Sequence, residues 1–209
     1  MTITLRITRA EPTPENLRAL LGLIEERADW LRYKDTDQWA KPWPDERRRN
    51  ERVLKGLQVR KTWIVWDDDR PAATVTTATR ANPAVWMKPY SQCNLAESAV
   101  YVHRLITARD YSGLGLGSQL IDWAGLRARR EYGARWIRID VWTTNDALHG
   151  YYRGQGFSPC GRCPDPGYPS GALFQKPVAG ILAGRIPQFS GTSAEFSLAG
   201  AREPAVLSS

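Results

Sequence analysis

The sequence predicts an α/β domain of the α+β type, with about seven strands and about four helices in the order β-α-α-β-β-β-α-β-α-β-β. Three observations carry that prediction. A β-branched and apolar run, Ser98 to Thr107, passes through Gly113, Gly115 and Gly117 into a helix-periodic run with Leu116, Leu120, Ile121, Ala124 and Ala128. A second strand-like run, Ala134 to Trp142, follows the Gly133 stop, so the centre of the chain is a β-α-β unit. The 209 residues suit one domain with a substantial core.

Before that centre, Thr4 to Ala10 alternates as a strand. Thr13-Pro14-Glu15 supplies a cap, a first-turn proline and an early acid, and Leu17, Leu20, Leu21, Ile24, Ala28 and Leu31 then recur at helical spacing. Lys34 to Pro44 is a polar and aromatic loop, and Asp45 caps a second helix running to about Gly56. Thr62 to Trp66 and Ala72 to Thr79 are strands joined by Asp67-Asp68-Asp69-Arg70-Pro71, a hairpin signal. Arg80 to Ala96 reads as a long loop.

After the centre come a short helix carrying Tyr152, a strand from Phe157, a Pro/Gly loop from Cys160 to Gly171, and a closing strand over Ala172 to Lys176. The domain is set at residues 1–177. Residues 178–209 form a tail without clear periodicity, either mobile or docked through Ile181, Leu182, Ile186 and Phe189.

Composition sets limits. Charged residues at 24% and hydrophobic ones at 42% describe an ordinary soluble protein. No apolar run reaches the roughly 18 residues a membrane span needs, and no secretory leader is visible after Met1, so the expected location is cytoplasmic. The net charge of +7 permits a polyanionic ligand, RNA among them. Its densest run, Arg47-Arg48-Arg49, has acidic neighbours and reads as a solvated helix face, which argues against nucleic acid as a partner. Cys160 and Cys163 form a lone C-x-x-C, with Cys93 the one further thiol; free cysteines and no metal are expected. Of nine tryptophans, Trp63, Trp66, Trp136 and Trp142 lie on strands and read as core. Trp39, Trp43 and Trp86 lie in loops, where they either line a substrate site or cap the core edge.

The glycine-rich turn leaves backbone N–H groups at the positive end of a helix, a site for a phosphate or diphosphate. Gly113, Gly115 and Ser118, with Asp140 on the next strand, nearly fit a dinucleotide fingerprint, but too little chain follows to build that fold. The stretch Ser112-Gly113-Leu114-Gly115-Leu116-Gly117 resembles the acyl-CoA loop of the GNAT superfamily of N-acetyltransferases, with Ser112 where the family usually carries a long donor. A second segment, Asn145 to Phe157, resembles the family's later motif: Asn145 matches its Asn, Tyr152 its Tyr, and Gly156-Phe157 its Gly-Phe.

The resemblance implies a mixed, twisted sheet that splays between its fourth and fifth strands, here Ser98–Thr107 and Ala134–Trp142, and acetyl-CoA as co-substrate. It implies cofactor contacts from Leu105, Ile106 and Thr107 at a bulge, from Ser112, Gly113, Leu114, Gly115, Leu116, Gly117 and Ser118, and from Asn145 and Tyr152. Tyr152 would be the general acid, and the Leu105 N–H an oxyanion donor. Tyr151 and Tyr152 are about 100° apart on a helix, so one of them at most faces the groove. His103, sharing strand parity with Tyr101 and Leu105, is the base candidate, with Glu97 and water as competitors; His149 reads as a surface residue. Asn145 has two uses open, a pantetheine carbonyl or its own helix cap.

The expected activity is acetyl transfer to a primary amine of a small molecule, enclosed by Trp39, Trp43 and Trp86, by direct attack in a ternary complex. Protein amines, aminoacyl-tRNA and a non-catalytic acyl-CoA-binding role are the alternatives. A homodimer remains open.

Overall fold

Helix boundaries follow the caps written into the chain. The computed structural model of the protein describes residues 2–87, 89–181 and 193–199. Thr13 Oγ1 accepts from the Asn16 N–H at the start of helix α1 (Pro14–Leu31), and Asp45 accepts from the Arg48 N–H at the start of α2 (Glu46–Gln58). Strand β1 (Thr2–Arg9) precedes them; β2 (Thr62–Asp67) and β3 (Arg70–Ala78) follow as a hairpin. A one-turn helix α3 (Pro83–Trp86), capped by Asn82, sits inside the loop predicted over Arg80 to Ala96. The central unit is β4 (Ala99–Thr107), α4 (Leu116–Tyr132) and β5 (Trp136–Val141). Helix α5 (Asp146–Gly154), β6 (Ser158–Arg162) and β7 (Ala172–Pro177) complete the domain. Cys160 thus lies in a strand, not in the loop predicted from it onward.

The predicted seven strands and the four longer helices are all present. An eighth strand, β8 (Ser193–Ala199), comes from the tail and runs antiparallel to β1 from Thr2↔Ala199 to Thr8↔Ser193. Within 193–199, Ala194, Phe196 and Leu198 alternate with Ser193, Glu195 and Ser197, a strand signal that the small residues around it obscure. Leu182, Ile186 and Phe189 lie outside the described residues, while Ile181 is buried.

The sheet order is β6-β7-β5-β4-β3-β2-β1-β8, antiparallel except for the β4–β5 pair. Pairing fixes the faces. Thr62 and Thr76 are partners on the α1/α2 side, their hydroxyls 3.0 Å apart, and Gly56 of α2 sits over them; a Cβ at Gly56 would lie 2.9 Å from Thr62 Oγ1. Trp63 and Val75 point the other way, and Trp63 meets Trp123 of α4 edge to face at 5.0 Å. The core is continuous through both faces, with Leu5, Ile7, Leu57, Ile64, Leu120, Ile121 and Ile137 buried.

Two irregularities open the sheet. The β4–β5 pairing stops at Val102↔Ile139, although β4 continues to Thr107. On its other side, β4 pairs Thr76 with His103 and Thr74 with Ile106, so Arg104 and Leu105 together face one residue of β3. This is a β-bulge, with Arg104 at φ +47° in the left-handed region. A bulge twists and bends the strand that carries it, which turns the end of β4 away from β5.

Candidate active site

The gap between β4 and β5 continues into a groove with a volume of about 1180 Å³. Its walls come from the end of β4, the glycine loop, the start of α5, the loop after α1, and Tyr168.

At one end lies the start of α4. The N-cap is Gly115 in the left-handed conformation (φ +77°), with no side-chain cap. The loop satisfies some of its own donors: Ser112 N–H donates to Arg109 O and Leu114 N–H to Tyr111 O. Among the described residues, the N–H groups of Gly113, Gly115, Leu116, Gly117 and Ser118 have no such acceptor, and all five residues line the groove. Uncapped N–H groups at the positive end of a 17-residue helix make an anion site. Leu114 departs from expectation: its N–H is used within the turn, its side chain packs on the core, and it does not line the groove. Gly117 lies against helix α5, since a Cβ there would stand 3.1 Å from the Tyr151 hydroxyl. Ser112 lines the groove and is exposed.

Along β4, Ala108 N–H donates to Ala72 O. Alternation in an antiparallel pair then commits the peptide groups of Ile106 to Thr74 and turns those of Leu105 and Thr107 to the open side. Ile106 lines the groove, although its pairing with Thr74 engages its peptide groups with β3. The Thr107 carbonyl is also engaged, accepting from Arg27 of α1. Leu105, unpaired in the bulge, lines the groove. The bulge also breaks the parity predicted for β4: His103 and Ile106 both share a face with the β3 residues Thr76 and Thr74. His103 and Leu105 are thus no longer related by simple alternation.

Midway along the groove, His103 Nδ1 is 3.5 Å from Asp140 Oδ1. The Asp140 carboxylate is almost wholly buried; it also accepts from the Tyr168 hydroxyl (2.5 Å) and the Trp86 Nε1–H (3.4 Å). Burial lowers the His103 pKa below its ordinary value; Asp140 opposes that, and Arg104 and Lys61 reinforce it. His103 is consequently a neutral imidazole at neutral pH. Glu97, the competing base, instead accepts from Trp136 Nε1–H and pairs with Arg135.

Helix α5 brings Tyr151 and Tyr152 to the opposite wall, and both line the groove, contrary to the expectation that only one would. Tyr152 is 7% exposed, edge to face with Phe157 and Tyr151; burial, then the charges of Tyr151 and Asp140, raises its pKa well above the phenol value. Asn145 caps α5, its Oδ1 accepting from Leu148 N–H, while its Nδ2 donates to Gln38 Oε1. His149 is buried rather than at the surface: Nε2 is 2.8 Å from Trp142 O, and the ring lies against Phe174.

The loop after α1 roofs the other end. Asp37 Oδ1 accepts from Trp142 Nε1–H (2.8 Å) and from Thr144 Oγ1–H (2.5 Å), tying that loop to the β5–α5 connection. Trp142, predicted as core, is thus a groove-rim residue. Trp39 and Trp43 line the groove, and Trp43 meets Tyr168 edge to face at 5.3 Å. Trp86 does not line it: 0% exposed, it packs on Tyr101 and is core.

Sequence reasoning gave no role to Arg27, Arg52, Arg104 or Tyr168, which also line the groove, and read Asp140 only against a dinucleotide fingerprint. Asp140 carried a signal, the one acid on β5 beside the splay; Tyr168, in a Pro/Gly loop, carried none. The cysteines form a separate buried cluster. Cys93 lies beside Cys160, whose thiol, with Ser91 and Arg138 assisting, brings the Cys93 pKa down to about 7; burial works against that shift. Among the described residues no group of side chains is arranged to hold a metal ion, and no helix is long and apolar enough to cross a membrane.

A sheet that parts beside an uncapped glycine loop, with a histidine and a tyrosine facing the gap, defines a group-transfer fold. The sequence model described as the Acetyltransferase (GNAT) family matches residues 26–157. The chain belongs to that family and is an acyltransferase. It is similar to a Bacillus subtilis (strain 168) protein described as the uncharacterized N-acetyltransferase YesJ, 28% identical over 172 residues, 78% of this chain and 86% of that one. Among solved structures it resembles a GNAT-family acetyltransferase of Listeria monocytogenes (TM-score 0.62, 19% identity, 82% of this chain and 93% of that one). It also resembles the PaiA N-acetyltransferase of Thermoplasma acidophilum, solved in complex with coenzyme A (TM-score 0.59, 17% identity, 83% and 98%).

Proposed function

We propose that the protein is an acetyl-CoA-dependent N-acetyltransferase that acetylates a primary amine of a small molecule by direct attack within a ternary complex. The observation that carries this is the groove itself, which joins the free N–H groups of the glycine loop, the open backbone of Leu105, and His103 and Tyr152 in one continuous space. The residues fit acetyl-CoA: Gly113, Gly115, Leu116, Gly117 and Ser118 would hold the diphosphate, and Leu105 would pair with the pantetheine arm as a short strand does. The bound cofactor would supply an acyl group activated as a thioester.

The chain's own residues have three tasks. Holding both reactants in one groove is the largest effect available. His103, neutral and oriented by Asp140, accepts a proton from the substrate ammonium, directly or through one water, which frees the neutral amine to attack. Tyr152, protonated throughout the physiological range, donates a proton to the departing sulfur; the Leu105 N–H is placed to stabilise negative charge on a carbonyl oxygen. The roof tied by Asp37 encloses the acceptor end, which favours a small amine over a protein segment or aminoacyl-tRNA.

Amine-dependent thiol release from acetyl-CoA tests the proposal. Tyr152→Phe is expected to lower turnover about 10²–10⁴-fold while leaving CoA affinity within a factor of two or three. CoA binding without thiol release across a broad amine panel would instead establish a non-catalytic binder.

A further inference from the structure

The acceptor end of the groove holds two guanidinium groups without carboxylate partners. Arg52 projects from α2 and Arg104 from the β4 bulge, and both line the groove. They are neighbours: a Cβ on Gly56, one helical turn after Arg52, would lie 3.8 Å from Arg104 Nη1. Arg52 stacks on the Trp43 ring, 4.4 Å from its centroid, and donates one Nη2–H to the Trp43 carbonyl, but its buried Nε–H has no acceptor. Among the described residues the Arg104 side chain has no hydrogen-bond or ion-pair partner; Tyr168 and Asp140 act on it only through their charges. Asp140, the groove acid whose charge acts on Arg104, is already occupied by His103, Tyr168 and Trp86.

Two like charges held close in a partly dehydrated wall repel each other and lose hydration. Burial lowers the pKa of both, and Arg52 lowers that of Arg104 further; Tyr168 and Asp45 oppose the shift at Arg52, and Tyr168 and Asp140 at Arg104, without cancelling it. Holding Arg104 at φ +47° adds backbone strain, since a non-glycine residue in that region costs on the order of 1 kcal/mol. An oxyanion placed between the two would remove the repulsion and supply acceptors for Arg52 Nε–H and for the Arg104 fork. The glycine loop, the site for the cofactor diphosphate, is a separate part of the groove.

We propose that Arg52 and Arg104 form an oxyanion-binding subsite for the acceptor, so that the amine acetylated carries a carboxylate or phosphate group near it. This rests on the acetyl-transfer function proposed above. His103 and Asp140 receive the amine end, Arg52 and Arg104 the anionic end, and Trp39 and Trp43 the carbon skeleton.

The experiment compares matched amines in the thiol-release assay and, separately, by calorimetry at saturating CoA: each of a set of α-amino acids against its carboxamide, and O-phosphoethanolamine against ethanolamine. At least one anionic member is expected to exceed its neutral partner tenfold or more in kcat/KM and in affinity; the pair that does so tells carboxylate from phosphate. Arg52→Gln and Arg104→Gln are expected to erase that preference through KM, with CoA affinity unchanged, and Arg52→Lys to restore part of it. Equal handling of neutral and anionic partners, or a preference that survives both glutamine variants, overturns the subsite while leaving the transferase in place. Anion binding that depends on the two arginines, but without thiol release from any amine, retains the subsite and overturns the transferase.

Discussion

In the proposed mechanism, the protonation of His103 decides activity. The imidazole must be neutral to act as a base, and burial holds its pKa below the ordinary 6.5. With the sign worked through, activity is expected to be flat from neutral pH down past 6.5 and to fall only below it, as the ring gains its proton. Asp140→Asn removes the one neighbour that raises this pKa, so its acid limb is expected at still lower pH; a limb that moved upward would contradict the His103–Asp140 pairing. A kcat/KM profile against pH for the wild type and this variant measures both. At this scale the sequence showed which residue types were present but not how they were placed. Tyr152 was legible because its spacing to Gly156-Phe157 is a local pattern. Arg104 was not, because a left-handed residue that is neither glycine nor asparagine leaves no compositional trace. Trp86 was misplaced for a related reason: its loop folds inward onto Tyr101, and only tertiary contacts reveal that.

Helix α4 shows how an element's position is fixed by one missing side chain. A Cβ on Gly125 would stand 2.5 Å from Ile137 Cδ1 and 3.1 Å from Ile181 Cδ1, so the glycine lets the helix sit down on β5 and on the segment after β7. Gly125→Ala gains up to about 1 kcal/mol of helix propensity and meets an overpacking cost of about 1–3 kcal/mol. A net loss of about 1 kcal/mol, or roughly 2–4 °C in Tm, is expected by calorimetry. A rise in Tm would mean that Ile137 and Ile181 repack without strain. Elements were the most legible level: caps at Thr13, Asp45 and Asn145, and apolar periodicity, are local signals. What the elements do to each other was less so. The arrest of β4–β5 pairing after Val102 came from resemblance, and the roof over the groove depends on Asp37 bonding residues more than a hundred positions away.

The whole molecule is closed at one sheet edge by β8. Removing residues 193–209 would uncover the β1 edge, whose ladder from Thr2 to Thr8 is otherwise filled. Sedimentation is expected to show concentration-dependent association absent from the full chain, together with a lower Tm; an unchanged Tm and mass would mean that β8 contributes nothing to stability. Because Thr2 lies opposite Ala199, both extremities of the described chain meet on one rim. Four strand spacings, roughly 19 Å, separate that rim from β4 and the groove beside it. A fluorescent reporter or an affinity handle attached there would stand clear of incoming reactants, and a short linker joining the two extremities would make this enzyme a natural subject for circular permutation.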